Sequence, residues 1–428
     1  MQIHVVRRGQ TLYGISQAYG TTVQALIEAN QLDAPNQLVV GQALVVPIYG
    51  QFHWVQPGES LWSISRRYGI DFRELARINA ISTNAVLQVG FRLYIPPSPK
   101  RSIEVNAYIE PFGTVTEAQK QTVRDLASYL TYLAPFSFRA NRDGSLTPPP
   151  LDDLPTIATN NRIINMLVVT NQEEGQFSKE LAHILFTNEQ VSNTFLNNIV
   201  STANRLGFKD IHFDFEFIAP EDREAYNQFL RRARTRLKAE GFLLSTALAP
   251  KTSAEQVGAW YTAHDYATHG ALTDFVVLMT YEWGYTYSTP QAVSPIGPVT
   301  QVVNYALTEM PANKIMLGQN LYGYDWTEPF QYGGQAAKAL SPQQAIALAR
   351  REGVEIKYDY KAQAPYFNYR DDAGKLHEVW FEDARSIQAK FDLIKQKGLR
   401  GISYWKLGLA FPQNWLLLQD NFNIVKRG

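Results

Sequence analysis

Eight extended apolar runs recur through the last three quarters of the chain: Val105 to Ile109, Tyr132 to Phe138, Ile163 to Val169, Ile211 to Phe217, Phe242 to Leu248, Phe275 to Tyr281, Ile315 to Leu321 and Gly401 to Trp405. Between them lie helix-patterned stretches such as Glu117 to Leu130, Asn193 to Leu206, Glu221 to Glu240, Pro298 to Met310 and Asp383 to Lys397. Runs of strand length alternating with helices over roughly 330 residues predict an α/β fold, a (β/α)8 TIM barrel, which needs about 250 residues plus insertions. The connection from the seventh run to the eighth is too long for a plain crossover. It carries a helix-like piece, Ser341 to Glu352, then strand-like Glu355 to Tyr360, Ala364 to Tyr369 and His377 to Phe381, with a turn at Asp371-Asp372-Ala373-Gly374. A small α+β insertion at about 327–382, beside the barrel mouth, is the expectation.

The fourth run alternates polar and apolar residues from Gly207 to Phe217, then breaks at Ala219-Pro220. Successive strand side chains point to opposite faces, so His212, Asp214 and Glu216 share one side while Ile211, Phe213, Phe215 and Phe217 cover the other. Positions i and i+2 lie roughly 6.5–7 Å apart along a strand, so both carboxylates reach one small reacting centre. Such a pair divides labour: the more enclosed carboxyl keeps its proton, and the better solvated one stays ionised. The alternative is a half-exposed strand with its polar face in water. Catalytic groups of barrel enzymes sit at the C-terminal ends of the strands. There the sixth run adds Met279-Thr280-Tyr281-Glu282-Trp283 and the eighth adds Tyr404-Trp405.

Composition narrows the partner. Lys plus Arg equals Asp plus Glu, 40 each, so no basic surplus argues for nucleic acid. Aromatics reach 12%, which suits stacking on sugar faces and large cores alike. The absence of cysteine excludes disulfides, thiolate catalysis and Cys-ligated zinc. No metal-ligand motif, H-E-x-x-H, G-x-S-x-G or phosphate loop is present, and neither a metal nor a cofactor is expected. His4, His53, His183, His264, His269 and His377 are scattered. No apolar run of about 18 residues predicts a membrane span, and Met1 to Arg8 enters a folded pattern without a signal-peptide core. Export by the usual secretory route is therefore not expected, and a monomer is.

Residues 1–98 repeat with an offset of 49 and no gap. Val6 meets Val55, Gly9 meets Gly58, Leu12 meets Leu61, Ile15 meets Ile64, and Tyr19-Gly20 meets Tyr68-Gly69; later Asn30 meets Asn79, Val40-Gly41 meets Val89-Gly90, and Pro47 meets Pro96. Each unit reads as a strand (His4 to Arg7; His53 to Gln56), two helices and a closing strand (Leu44 to Pro47; Leu93 to Pro96), a βααβ pattern. At about 45 residues such a unit is near the lower limit for independent folding, so the repeated leucines and Tyr19/Tyr68 also read as core. The proline-rich Pro96 to Arg101 is a semi-rigid linker. The expected domains are 1–49, 50–98 and 99–428.

Both copies carry Val-x-x-Gly-x-(Thr/Ser)-Leu-(Tyr/Trp)-x-Ile-Ser, the Tyr-Gly helix end and the closing Val-Gly-x-x-Leu-x-(Val/Ile)-Pro, and in this they resemble LysM domains. The resemblance implies binding of N-acetylglucosamine-containing chains of peptidoglycan or chitin. It places the groove between two loops: Gly9, Thr11 and Leu12 with Asn30 and Leu32 in the first copy, Gly58, Ser60 and Leu61 with Asn79 and Ile81 in the second.

The barrel is similar to glycoside hydrolase family 18. Phe213-Asp214-Phe215-Glu216 resembles the end of its D-x-x-D-x-D-x-E signature, Met279-Thr280-Tyr281-Glu282 resembles M-x-Y-D, and Trp405 matches the last-strand tryptophan. The resemblance implies that Glu216 protonates the glycosidic oxygen, Asp214 orients the substrate's 2-acetamido group, Tyr281 hydrogen-bonds it, and Trp405 floors the sugar, in a retaining, substrate-assisted reaction. Met279, Glu282 and His212 would contact substrate. The chain departs from the signature at Lys209 and His212, where aspartates are usual, and at Glu282. At 212 the family's aspartate exchanges a proton with the next one, and His212 is expected to bond Asp214 instead.

Two LysM copies joined to such a barrel resemble the spore cortex-lytic N-acetylglucosaminidases of endospore-forming bacteria. That resemblance implies a peptidoglycan substrate bearing muramic-δ-lactam, a place in the spore coat or cortex region, action during germination, and avidity from tandem modules. A chitinase, acting on chitin or chitooligosaccharides, and a non-catalytic wall-binding coat protein remain the alternatives.

Overall fold

A computed structural model describes residues 1–427. Its centre is a closed, all-parallel barrel of eight strands: β1 (Arg101–Ile109), β2 (Tyr132–Pro135), β3 (Ile164–Thr170), β4 (Asp210–Asp214), β5 (Leu243–Leu248), β6 (Phe275–Leu278), β7 (Ile315–Asn320) and β8 (Gly401–Trp405). Each pairs with its neighbours in sequence, and β8 closes on β1. All eight expected runs are strands, and the TIM-barrel expectation holds.

The alternation in β4 sorts the side chains as expected. Ile211 and Phe213 face outward into a core with Phe195, Phe229 and Leu230 from the helices Glu189–Leu206 and Arg223–Ala239. Asp210, His212 and Asp214 are buried toward the barrel interior. That interior is filled by Tyr132, Met166, Val168, Phe275, Val277 and Met316. A packed layer of this kind leaves the chemistry at the strand ends.

Between β7 and β8 lies a five-stranded antiparallel sheet in the order Lys338–Leu340, Gly323–Thr327, Leu376–Trp380, Ala364–Arg370 and Lys357–Asp359, with the helix Pro342–Arg351. The expected turn is present, closed by Asp371 N–H donating to Lys375 O at 3.1 Å and by Gly374 at φ 78°. The sheet also recruits Gly323–Thr327, which directly follows β7.

Each N-terminal copy is a two-stranded sheet with two helices. Gln2–Val5 pairs with Ala43–Val46, and Gln51–Trp54 with Arg92–Ile95. The first helix of each is capped by Thr11 or Ser60, whose side chains accept from Gly14 N and Ser63 N, and ends at Gly20 or Gly69 in the left-handed conformation glycine favours. The first strands start two residues earlier than the pattern suggested. Among the described residues no helix is long and apolar enough to cross a membrane.

Candidate active site

A cavity of about 430 Å3 opens at the C-terminal ends of the barrel strands. Glu216, Asp214, Tyr281, Glu282, Met279 and Trp405 all line it, so residues from three strand ends meet at one mouth.

Asp214 is the last residue of β4, and Glu216 lies beyond it. The alternation runs on to Phe217, yet the ladder stops, because Asn171, just past β3, takes over the pairing. Its Oδ1 accepts from Glu216 N–H at 3.0 Å and its Nδ2 donates to Glu216 O at 2.9 Å. His264 Nε2 lies 2.9 Å from Phe215 O and pins the preceding peptide. Phe217 then turns the chain at φ 53° and points outward, 46% exposed, instead of joining the apolar face. Glu282 follows Tyr281 in the same way, at φ 67°. Two non-glycine residues in the left-handed region cost of order 1–3 kcal/mol each and persist where surrounding packing holds them.

The carboxylates sit in unlike surroundings. Burial pushes the Asp214 carboxyl up to about 7, and its Oδ1 has no hydrogen-bond partner among the described residues. Burial, then the neighbouring Asp214 charge, hold the Glu216 carboxyl well above the usual carboxylate range; a bond from Trp260 Nε1 to Glu216 Oε2, 2.5 Å long, opposes them. Glu282, pushed up to about 7 by burial, accepts from Tyr322 Oη at 2.5 Å and from Tyr324 Oη at 3.2 Å. The Tyr281 phenol is raised by burial and by the Asp214, Glu216 and Glu282 charges, so it is a neutral donor at any working pH.

His212 does not reach the cavity. It is fully buried beneath it, which corrects its expected place among the substrate contacts. Its Nε2 lies 2.8 Å from Tyr108 Oη and its Nδ1 2.8 Å from Ser245 Oγ, and Ser245 Oγ donates to Asp210 Oδ1 at 2.6 Å. Once Asp210, pushed up to about 7 by burial, is ionised, the Ser245 hydrogen is spent on it, so Ser245 accepts from His212 Nδ1–H, and Nε2 accepts from Tyr108 O–H. Burial lowers the His212 imidazole to about 3, so it is neutral. The expected bond to Asp214 is replaced by this chain, which ends at Tyr108 in the cavity wall.

Sequence reasoning missed Trp260, Asn171, Tyr108, Tyr322 and Tyr324. Asn171 carried a signal, as a polar residue two places after the third apolar run. Trp260 lies in an irregular loop between β5 and the helix Tyr266–Leu272 and carried none.

In the N-terminal copies Gly9, Thr11, Gly58 and Ser60 are exposed, while Leu12 and Leu61 are core residues with 5% and 3% exposure. Asn30 and Asn79 spend their side chains on backbone: Asn30 on Leu26 O, Val45 O and Val45 N, and Asn79 on Leu75 O, Tyr94 O and Tyr94 N. The side chains of these four residues are thus committed to the core and to the local backbone. Leu32 and Ile81 are half-buried.

Over residues 106–410 the sequence matches the description Glycosyl hydrolases family 18, and over 4–47 and 53–96 the description LysM domain. It is 63% identical over 428 residues to the cortical fragment-lytic enzyme of Bacillus subtilis (strain 168), covering 100% of this chain and 99% of that protein. The crystal structure of the Bacillus megaterium QM B1551 spore cortex-lytic enzyme SleL matches with a TM-score of 0.91 at 51% identity, covering 100% of this chain and 99% of that one. A chitinase from Chromobacterium violaceum ATCC 12472 matches with a TM-score of 0.69 at 25% identity, covering 74% of this chain and 98% of that one.

Proposed function

The chain belongs to the glycosyl hydrolases of family 18, with two LysM domains ahead of the barrel, and from that membership we propose that it cleaves N-acetylglucosamine-containing glycan of spore-cortex peptidoglycan. The observation that carries the substrate is the full-length identity to a cortical fragment-lytic enzyme, with the LysM pair included in the matched span. The site of action is the cortex of a germinating spore. Domains 1–49, 50–98 and 99–428 supply two glycan-binding units and the catalytic one.

Glu216 is the general acid. Burial and the neighbouring Asp214 charge raise its proton affinity and so favour the protonated carboxyl, as a donor to the leaving oxygen requires. The substrate's acetamido oxygen attacks the anomeric carbon as the glycosidic bond breaks, and Glu216 gives its proton to the departing oxygen. Asp214, whose Oδ1 is free of partners among the described residues, holds the acetamido N–H and stabilises the cyclic ion, while the neutral Tyr281 phenol donates to the acetamido group. Water then attacks the anomeric carbon from the face the leaving group vacated, with Glu216 taking its proton, and configuration is retained. Trp405, against Phe136 and Tyr108 in the cavity wall, supplies an apolar floor for the sugar.

The test is Glu216→Gln on purified cortex fragments, with products read by mass spectrometry. Hydrolysis is expected to fall by at least 10²–10⁴-fold with binding kept; hydrolysis within tenfold of the wild type sinks the acid assignment. The likeness to a chitinase supports a second reading, and faster turnover of chitin oligomers than of cortex fragments would favour it.

A further inference from the structure

The gapless 49-residue offset makes the two LysM copies comparable residue by residue, and the comparison shows unequal surroundings. Val39, Ala43 and Val45 of the first copy are 6%, 3% and 0% exposed. Ala43 and Val45 belong to the main barrel core, and Val39 to the core of the insertion. Their counterparts in the second copy are Gln88, Arg92 and Tyr94, of which Gln88 and Arg92 are exposed. Gly41 approaches the insertion so closely that a Cβ there would lie 1.8 Å from Ile356 O; at Gly90 a Cβ would meet nothing within 4 Å.

Polar contacts repeat the contrast. Arg350 holds Asp33 through two bonds of 2.9 and 2.6 Å, Ile356 N–H donates to Val40 O at 2.9 Å, and Arg385 donates to Gly41 O at 3.0 Å. Gln343 Nε2 donates to Asn30 O at 2.8 Å and to Gln31 O at 3.3 Å, so the loop after the second helix of the first copy is fastened to the helix Pro342–Arg351. What remains open there is a cleft of about 320 Å3 that the loop shares with that helix. Among the described residues, no hydrogen bond or ion pair joins 51–96 to the barrel. The second copy holds on through the first, by Gln2 with the Phe52 backbone at 2.8 and 2.7 Å and Arg92 with Ala18 O at 2.8 Å. Its loop after the second helix, with Ala80 and Ser82 exposed, stays open, and Trp62 presents an indole 61% exposed nearby in sequence to Ser60.

We infer that the copies have divided the work: the first is a structural part of the catalytic body, and capture of polymeric glycan falls to the second. A polymer needs a surface open along its path. The second copy keeps the whole of its surface free on the side where the first is covered by the insertion helix. Trp62 offers the flat apolar face that a sugar ring stacks on. The inference rests on the reading above that the LysM domains bind glycan.

The experiment removes residues 51–95 from the full chain, joining Gly50 to Pro96. A Cβ on Gly50 would lie 2.5 Å from Ile95 O, so the new ends already meet. Co-sedimentation with insoluble peptidoglycan sacculi is expected to fall at least tenfold, while turnover of soluble fragments stays at the wild-type value. The point variants Trp62→Ala and Tyr13→Ala, equivalent exposed positions in the two copies, repeat the test without a deletion; loss is expected in the first alone. Full sedimentation of the deletion variant, or equal loss in Tyr13→Ala and Trp62→Ala, overturns the inference. A wild-type protein that does not sediment would instead overturn the glycan-binding reading itself.

Discussion

The Trp260 indole donates to Glu216 Oε2 at 2.5 Å across 44 residues of sequence, and the same ring stacks on Phe217 with centroids 6.2 Å apart and planes 13° apart. One side chain from an irregular loop thus fixes the carboxylate and braces the turn that follows it. The bond favours the ionised form of Glu216 and so works against burial. In Trp260→Phe the stacking stays and the donor is lost, so the Glu216 proton affinity rises. The acid form is the working form, and rate is lost as pH rises through its pKa. The alkaline limb of the kcat profile is therefore expected to move to higher pH, with kcat itself down about tenfold. An unmoved limb in pH-rate measurements would show that the bond does not tune the acid.

Asn171 is the second support. In Asn171→Ala the Glu216 N–H and C=O lose both partners, a cost of about 2 kcal/mol. A shift of the carboxylate by about 1 Å suffices for up to about 10²-fold in rate. The expected signature is a large fall in kcat with KM little changed, measured on soluble fragments, beside a lowered melting temperature. A variant that loses stability but not kcat would mark Asn171 as scaffold only.

His212 gives a spectroscopic prediction. Above pH 7, where Asp210 (pushed up to about 7 by burial) is ionised, the ring carries its proton on Nδ1 and stays neutral far into the acid range. In Asp210→Ala the Ser245 hydroxyl loses its acceptor and turns to Nδ1, moving the imidazole proton to Nε2 and Tyr108's hydrogen into the cavity. Nitrogen-15 NMR of labelled histidine distinguishes the two forms. An Nδ1–H tautomer in both proteins would rule out Asp210 as the group that orders the chain.

Stability separates the LysM copies. Val39→Asp buries an unpaired carboxylate in the insertion core and is expected to cost about 3 kcal/mol or more, whereas the equivalent Gln88→Asp is exposed and should stay within about 0.5 kcal/mol. Differential scanning calorimetry of the two variants checks this. Equal effects would mean that the first copy is not held as the contacts suggest.

Much of this was legible in the sequence, and the losses have physical causes. Period-2 alternation predicted which faces Ile211, Phe213, His212 and Asp214 would take, because a strand leaves a side chain only two directions. It could not predict that β4 ends at Asp214, since the residue that ends it, Asn171, lies 45 positions before Glu216, whose backbone it holds. The signature departure at 212 was visible, but not its remedy. Tyr108, Ser245 and Asp210 come together only when β1, β4 and β5 close around the interior. Likewise the offset of 49 exposed the duplication, while only the small substitutions Val39 for Gln88 and Ala43 for Arg92 hinted that one copy is buried against the barrel.

The contact between the first LysM copy and the insertion also sets an order of events during synthesis. Asp33 and its partner Arg350 are 317 residues apart, so at about 5–20 residues per second the N-terminal unit waits roughly 15–60 s for the surface it packs on. Throughout that interval Val39, Ala43 and Val45 remain uncovered, and only the unit's own small core around Leu26 and Leu44 keeps it folded. The second copy has no such wait, because its face toward the first is satisfied as soon as residue 96 has emerged. The earliest-made domain of the nascent chain thus carries an uncovered apolar patch, and that exposure ends only when the last quarter of the protein arrives.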